Sequence, residues 1–230
     1  MRRALCSLVR VRAVARGYAG AVGVRAVCWD WNGTLLDDVE RCLRIMNSTL
    51  TAFGKPVIDD TDGYRALFRF PLQDFYLDAG IRPHEYRPAV DHYLALLARD
   101  DSALVLHEGA RETIAAVRAR GIGQVLASAT QAPLLAAQMR PHALDGAFDA
   151  ILSITDAHAA SKRDVIATWL DGAGHAPREV LLVGDTNHDH EIAEELGTRY
   201  VHFTRGHQRP PRHDGVARIS ALEELIRHLD

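Results

Sequence analysis

The sequence is poor in lysine and cysteine, and it carries no excess of positive charge. Its 230 residues include 27 Lys and Arg against 30 Asp and Glu, a formal net charge of -3. The basic excess that would displace the counterions of a nucleic acid is therefore missing. No apolar run approaches the roughly 18 to 20 residues that a membrane helix requires. The three cysteines, Cys6, Cys28 and Cys42, match no metal motif or disulfide framework, which favours a reducing cytoplasm.

What the chain does contain is enough apolar sequence for a full core. At 47% hydrophobic and 25% charged it has the composition of a globular protein, long enough for one ordinary domain and a small inserted one. Residues 1–23 contain five arginines and no acid. Such a segment is typical of an organelle transit peptide, although Ser7 is its only serine. The alternative is an N-terminal extension that takes no part in the core, and both interpretations stay open.

Strand-like and helix-like patterns alternate along the rest of the chain. The predicted strands are Val24–Asp30, Gln124–Ser128, Ala150–Ile154, Val180–Asp185 and Tyr200–Phe203. The predicted helices are Asp38–Phe53, Ala110–Arg120, Ala132–Met139, Lys162–Leu170, His188–Leu196 and Ala221–Leu229. This alternation predicts an α/β fold with a doubly wound, Rossmann-like parallel sheet covered by helices on both faces.

An aromatic helical block interrupts the alternation after the first strand. The segment Asp60–Arg99 contains seven Phe and Tyr residues, and prolines cut it into short helices. We therefore predict a small helical cap over residues 38–104, inserted into a core of residues 24–37 and 105–230.

Polar residues gather where the predicted strands end. Asp30, Ser128 and Asp185 follow three strands, and ligands of such folds bind at the carboxyl ends of the strands. Lys162 begins a helix after another strand, and Asp189 lies in the turn after Asp185. A carboxylate can attack phosphorus, further carboxylates can bind Mg²⁺, and a hydroxyl and an ammonium can hold phosphate oxygens. The pattern therefore indicates metal-assisted phosphoryl transfer.

These motifs, in this order, resemble the haloacid dehalogenase-like superfamily, and specifically its phosphatase branch, which includes phosphoglycolate phosphatases. The resemblance implies a Mg²⁺-dependent phosphatase that forms an aspartyl phosphate on Asp30 and acts on a small phosphorylated metabolite. The residues implied to be catalytic are Asp30, Asn32, Ser128 and Lys162. Those implied to bind substrate are Thr34, Ser128 and Lys162. Those implied to hold the metal are Asp30, Asn32 through its backbone carbonyl, Asp185 and Asp189.

Asn32 departs from the family pattern, which has a second aspartate there. That aspartate protonates the leaving group and then activates water, whereas an amide does neither. General acid–base help contributes about 10²- to 10⁴-fold to the rate. Three outcomes follow. The substrate has a good leaving group, as in an activated phosphate such as an acyl phosphate or anhydride; another residue, such as a cap histidine or His188, supplies the proton; or the protein binds phosphate with weak or no turnover.

Other interpretations compete at single positions. Thr130 is close enough to take the place of Ser128, and Asp185 and Asp189 could merely begin a helix. Lys162 supports the resemblance more strongly. The chain has only two lysines against 25 arginines, so a lysine at the position where the family has one is unlikely to occur by chance. The other, Lys55, is the one candidate for the Schiff-base lysine of phosphonate-cleaving relatives. Carbon–halogen hydrolases of the superfamily lack the metal acids, so that activity is not expected.

The sequence does not identify the substrate. Three cap arginines, Arg65, Arg69 and Arg87, could meet an anionic substrate. His188 and His190 flank the predicted metal motif, and His207 follows the last predicted strand. We expect no nucleic-acid or membrane partner, a monomer or homodimer, and a cytoplasmic location.

Overall fold

The core of the protein is a six-stranded sheet in which every pairing is parallel. The computed structural model describes residues 23–100, 102–144, 146–154, 161–210 and 215–230, so the extension predicted over residues 1–23 lies outside the described residues except for its last residue. The strand order is β3-β2-β1-β4-β5-β6. The strands are β1 Ala26–Trp29, β2 Gly123–Gln131, β3 Ala150–Ile154, β4 Val180–Gly184, β5 Arg199–Phe203 and β6 Ala217–Ile219.

The sheet is buried on both faces because alternate residues of its strands enter two different cores. In β1, Val27 and Trp29 pack into one cluster, while Ala26 and Cys28 pack into the other. This is the period of two expected of a strand, with apolar residues at every position because helices cover both faces. The predicted doubly wound α/β sheet is confirmed.

Eight α-helices are described. They are α1 Val39–Ala52, α2 Thr61–Leu67, α3 Leu72–Asp78, α4 Tyr86–Arg99, α5 Ala110–Ala119, α6 Ala132–Met139, α7 Lys162–Ala173 and α8 Asn187–Leu196. Helices α1–α4 lie between β1 and β2 and share a separate hydrophobic cluster that includes Met46, Leu50, Tyr64 and Phe75. The predicted cap inserted after the first strand is therefore confirmed; its limits at residues 38 and 104 remain a prediction.

The structure differs from the prediction at the C-terminal end. Strand β6 was not predicted; it has three residues and pairs with β5 at the sheet edge. The segment predicted as a helix over Ala221–Leu229 forms 3₁₀ turns at Leu222–His228 instead. Leu222 and Leu225 are buried there. Apolar residues three positions apart lie on one face of a 3₁₀ helix as well as of an α-helix, so the apolar pattern does not distinguish the two helix types.

The strand order also brings the predicted site together. Strand β1 lies between β2 and β4, so the ends that carry Asp30, Ser128 and Asp185 are neighbours at one edge of the sheet. Within the described ranges, no helix is both long and apolar enough to cross a membrane.

Candidate active site

The first part of the site is the turn that follows β1. The backbone N–H of Asp30 donates to the Val183 carbonyl at 2.9 Å, which fixes Asp30 against β4. Gly33 has a φ of +77°, a conformation that glycine adopts without steric cost. A side chain there would also collide with the carboxylate of Asp185 and the ring of His207. The glycine therefore lets the turn approach the residues beyond β4 closely.

Three buried carboxylates converge beside this turn. Asp30, Asp185 and Asp189 each offer an oxygen, and these oxygens lie within 4.8 Å of one another. The ammonium of Lys162, itself buried, lies 2.5 Å from Asp30 Oδ1 and 2.5 Å from Asp189 Oδ1. The four residues predicted from separate motifs thus form one cluster, with Lys162 at its edge.

Asp185 and Asp189 are each held by a neighbouring hydroxyl. Thr34 is completely buried, and its Oγ1 donates to Asp185 Oδ1 at 2.7 Å. Thr34 does not line the adjoining cavity, so in this structure it supports a carboxylate instead of facing a substrate. Thr186 caps the N-terminus of α8 and donates to Asp189 Oδ2 at 2.6 Å, which leaves Oδ1 for Lys162. Asp189 therefore belongs to a helix-capping box and to the acidic cluster at the same time.

The charges of this cluster do not balance. Burial raises the pKa of Asp30 far above its ordinary range, and Lys162 only partly opposes this. Burial also disfavours the charged forms of Lys162 and Asp189, but their attraction prevails: the pKa of Lys162 is raised and that of Asp189 is lowered. With all three carboxylates ionised against one ammonium, the site is formally short of two positive charges. An all-oxygen donor set with this deficit fits a hard divalent cation.

A cavity of about 260 Å³ opens from the cluster toward the cap. Asp30, Lys162 and Asp189 line its floor together with Ser128 and Thr130. Ser128 Oγ accepts the backbone N–H of Thr130 at 3.0 Å, while the Thr130 hydroxyl donates to Asn32 Oδ1 at 2.8 Å. Ser128 and Thr130, the two candidates for a hydroxyl that binds phosphate, thus both lie at the cavity. The Thr130 hydroxyl, however, already donates to Asn32.

A second buried network joins Asn32 to the base of the cap. The Asn32 amide donates to Asp38 Oδ2 at 2.8 Å, and Asp38 Oδ1 accepts from the Gly33 N–H at 2.9 Å. His207 Nε2 lies 3.0 Å from Asp38 Oδ1, and its Nδ1 lies 3.2 Å from the Tyr64 hydroxyl. Burial opposes the charge of His207, but Asp38 outweighs it and raises the pKa of His207 to about 9. His207 is therefore an imidazolium at neutral pH.

Sequence reasoning missed Asp38 as a site residue. Its position before α1 is typical of a helix cap, yet its carboxylate bonds to Asn32, Gly33 and His207. His207 was one of twelve histidines, and only its place after the last predicted strand distinguished it. No sequence signal pairs these two residues, since they are 169 positions apart.

The cap is hydrogen-bonded to the core around the cavity mouth. Arg65 of α2 donates to the carbonyls of Gly206 at 2.8 Å and Arg205 at 3.0 Å. The ring of Phe70 stacks on that of His188, with centroids 4.8 Å apart. These contacts bring the cap onto the first turn of α8 and onto the loop after β5.

The basic residues suggested for an anionic substrate lie elsewhere. Arg69 pairs with Asp78 at 2.8 Å, and neither Arg65, Arg69 nor Arg87 lines the cavity. Lys55 pairs with Glu85 at 2.8 Å and is likewise outside the cavity, so phosphonate cleavage lacks its lysine here.

Comparisons with known proteins agree with the geometry of this site. The haloacid dehalogenase-like hydrolase family matches residues 27–203, and the chain belongs to this family. A phosphoglycolate phosphatase from Synechococcus elongatus is 26% identical over 183 residues, covering 80% of this chain and 85% of the relative. Phosphoglycolate phosphatase 1 from Pseudomonas aeruginosa is 26% identical over 197 residues, covering 81% and 72%.

A solved structure shows the same fold. A haloacid dehalogenase-like hydrolase from Streptococcus pneumoniae superimposes with a TM-score of 0.76 at 18% identity, covering 90% of this chain and 99% of that protein. The predicted family and its phosphatase branch are therefore confirmed, and the chain is an enzyme of the hydrolase class.

Proposed function

We propose that this protein is a Mg²⁺-dependent phosphoric monoester hydrolase that forms an aspartyl phosphate on Asp30. The observation that carries the proposal is the convergence of Asp30, Asp185 and Asp189 with Lys162 on the floor of one cavity. These are the groups that phosphoryl transfer needs: a nucleophile, a place for a divalent cation, and an ammonium for phosphate oxygens.

Each residue then has a separate task. Asp30 attacks phosphorus while the bond between phosphorus and the leaving oxygen breaks, and water later hydrolyses the aspartyl phosphate. Lys162 and Ser128 hold the phosphate oxygens, since both line the cavity beside Asp30. Thr34 and Thr186 fix the carboxylates of Asp185 and Asp189 through their hydroxyls.

Mg²⁺ would be held by Asp30, Asp185, Asp189 and the backbone carbonyl of Asn32. When bound, it neutralises phosphate charge that develops during transfer. The buried excess of negative charge supports a divalent cation at these carboxylates, and their all-oxygen chemistry supports Mg²⁺ over softer metals. Because the ligand expected from Asn32 is a backbone oxygen, the change from acid to amide does not remove it.

The proposal is tested by phosphate release from a panel of alkyl, aryl and acyl phosphates. Purified protein should turn over at least one class with Mg²⁺ and none with EDTA. Asp30→Asn should abolish turnover, while Asp171→Asn, an exposed change on α7, should not. Turnover that survives Asp30→Asn unchanged would contradict the proposed nucleophile.

A second candidate from another class is a phosphate-binding protein with weak or no catalysis. Asn32 favours it, because the amide is fixed between Asp38 and Thr130 and supplies no proton to a leaving group. Calorimetry separates the two: tight binding of a phosphorylated metabolite without product supports the binding protein, whereas measurable turnover rejects it.

The remaining expectations stand as part of the proposal. The names of the two relatives suggest a small phosphorylated metabolite as substrate, and phosphoglycolate is the compound those names give. We also propose a cytoplasmic monomer or homodimer, with residues 24–37 and 105–230 as the core and 38–104 as the cap.

A further inference from the structure

The half of the cavity that the cap provides is aromatic. Its wall includes the rings of Tyr64, Phe68, Phe70, Phe75, Tyr76 and Tyr93. Several of these rings meet edge to face, as Tyr64 and Phe75 do with centroids 5.4 Å apart. Aromatic rings prefer such edge-on or offset contacts, and a flat ring entering the cavity can make more of them. The volume of about 260 Å³ suits a compact ligand, because small-molecule sites commonly span about 300–1,000 Å³.

Among the residues that the structure describes, the same wall offers no arginine, and no lysine other than Lys162, for a second negative charge. Lys162 is already shared between Asp30 and Asp189 at the phosphate end. Two histidines also line the cavity, but each faces a carboxylate of the protein: His207 lies 3.0 Å from Asp38, and His188 lies 3.9 Å from Glu191. A carboxylate on the organic part of the substrate would be buried without a partner, which is unfavourable.

The leaving oxygen must also depart without an acid at position 32. The Asn32 side chain accepts from Thr130 and donates to Asp38, so its orientation is fixed and it has no transferable proton. A phenol releases its proton with a pKa near 10, as tyrosine does. Simple alcohols, like water, are far weaker acids. A phenolate is therefore a far better unprotonated leaving group than an alkoxide.

We propose that the substrate of this site is an aryl phosphate, a phosphate ester of a phenol without a further negative charge near the ring. The inference rests on the proposed phosphatase function. Asp30 forms the bond to phosphorus while the bond from phosphorus to the phenolic oxygen breaks, and phenolate leaves with the electron pair. Water then hydrolyses the aspartyl phosphate, and the proton it releases balances the one that phenolate takes from solvent.

Four phosphate compounds separate the ring from the leaving group. Phenyl phosphate has both features, cyclohexyl phosphate has only an apolar ring, acetyl phosphate has only a good leaving group, and phosphoglycolate has neither. Measured with Mg²⁺ and corrected for spontaneous hydrolysis, kcat/KM for phenyl phosphate should exceed each of the other three by at least about tenfold.

Each other result has a definite meaning. If cyclohexyl phosphate or phosphoglycolate matches phenyl phosphate, the leaving group does not need to be a phenol and the inference is wrong. If acetyl phosphate matches it, the aromatic wall does not select the substrate, which is equally contradictory. If none of the four is hydrolysed, the proposed phosphatase function fails, and the substrate class fails with it.

A charge introduced into the wall provides a second test in the folded enzyme. Leu72 lines the cavity and is 41% exposed, so an arginine there can reach both the cavity and solvent. In Leu72→Arg, the ratio of kcat/KM for phosphoglycolate to that for phenyl phosphate should rise about tenfold. Val57→Arg adds the same charge to the cap at a position that is 51% exposed and outside the cavity, and it should leave the ratio unchanged. Equal ratios in the two variants would overturn the role given to the missing cation.

Discussion

The side-chain amide of Asn32 donates to the carboxylate of Asp38 at 2.8 Å, and this contact joins the phosphate end of the site to the base of the cap. Asp38 also accepts from the N–H of Gly33 and pairs with the imidazolium of His207. Asn32 is therefore part of a buried network of defined donors and acceptors. An aspartate at position 32 would place a second carboxylate where the network supplies a donor.

The first prediction concerns Asn32→Asp. The new carboxylate would face Asp38 at hydrogen-bond distance, and two carboxylates that close cannot both ionise readily. We expect the free energy of unfolding at pH 7 to fall by roughly 1–3 kcal/mol, because a buried hydrogen bond is replaced by repulsion. Urea unfolding measures the loss.

The exchanged pair, Asn32→Asp with Asp38→Asn, serves as the control. It restores one amide and one carboxylate, so the two single losses should not add. A double variant whose loss equals the sum of the single losses would show that the two residues do not interact.

The second prediction concerns metal binding. Mg²⁺ at 100 times its dissociation constant should stabilise the enzyme by about 2.7 kcal/mol, because a ligand bound only to the folded state shifts unfolding. Asp185→Asn should lose most of this increment, since it removes a carboxylate from the cluster. Asp171→Asn, on the exposed side of α7, should retain it. Thermal melts with and without Mg²⁺ measure this stabilisation. If Mg²⁺ stabilises both variants equally, Asp185 does not belong to the metal site.

The third prediction concerns the contact between cap and core. Arg65 uses a forked guanidinium to bond two carbonyls, those of Gly206 and Arg205, and a lysine does not reproduce this geometry. We expect Arg65→Lys to raise KM several-fold and to increase hydrogen exchange in α2. Arg69→Lys is the matched control, because Arg69 is half-exposed and pairs with Asp78 within the cap. Equal effects of the two variants would contradict a specific role for Arg65 in cap docking.

The fourth prediction concerns stability in acid. Burial is the main reason that the pKa of His202 is lowered from 6.5 to about 4. Between these pH values the unfolded chain binds a proton at this residue and the folded chain does not, so stability falls as the pH falls. The full shift corresponds to roughly 3 kcal/mol. His202→Gln should therefore flatten the loss of unfolding free energy between pH 6.5 and 4.

The exposed His84→Gln is the control for removing a histidine, and it should keep the acid dependence of the parent protein. If His202→Gln and the parent lose the same stability over that pH range, His202 does not contribute to acid unfolding.

The sequence revealed those parts of the fold and site that depend on local pattern. Apolar runs that end on a polar residue identified the strands carrying Asp30, Ser128 and Asp185, because ligands of parallel sheets bind where strands end. Lys162 was identifiable because lysine is so rare in this chain. The order of the strands then brings these residues together.

What the sequence did not reveal depends on contacts between distant segments. Asp38 and His207 meet only because the cap folds over the loop after β5, and no local pattern records that contact. Thr34 follows the nucleophile in sequence, yet its hydroxyl turns beneath the cavity to Asp185. Arg65 and Arg69 of the cap were candidates for substrate binding until the carbonyl partners of the first and the carboxylate partner of the second were known. Tertiary partners, unlike strand ends, leave no periodic signal.

The most direct test of the account is to identify the residue that carries phosphate during turnover. Enzyme mixed with phenyl phosphate and Mg²⁺ is quenched in acid, treated with borohydride, which reduces an acyl phosphate to an alcohol, and digested for mass spectrometry. We expect the residue at position 30 to be recovered partly as homoserine, and we expect no homoserine when substrate is omitted. Phosphate on any other residue, or unmodified Asp30 during rapid turnover, would contradict the proposed mechanism.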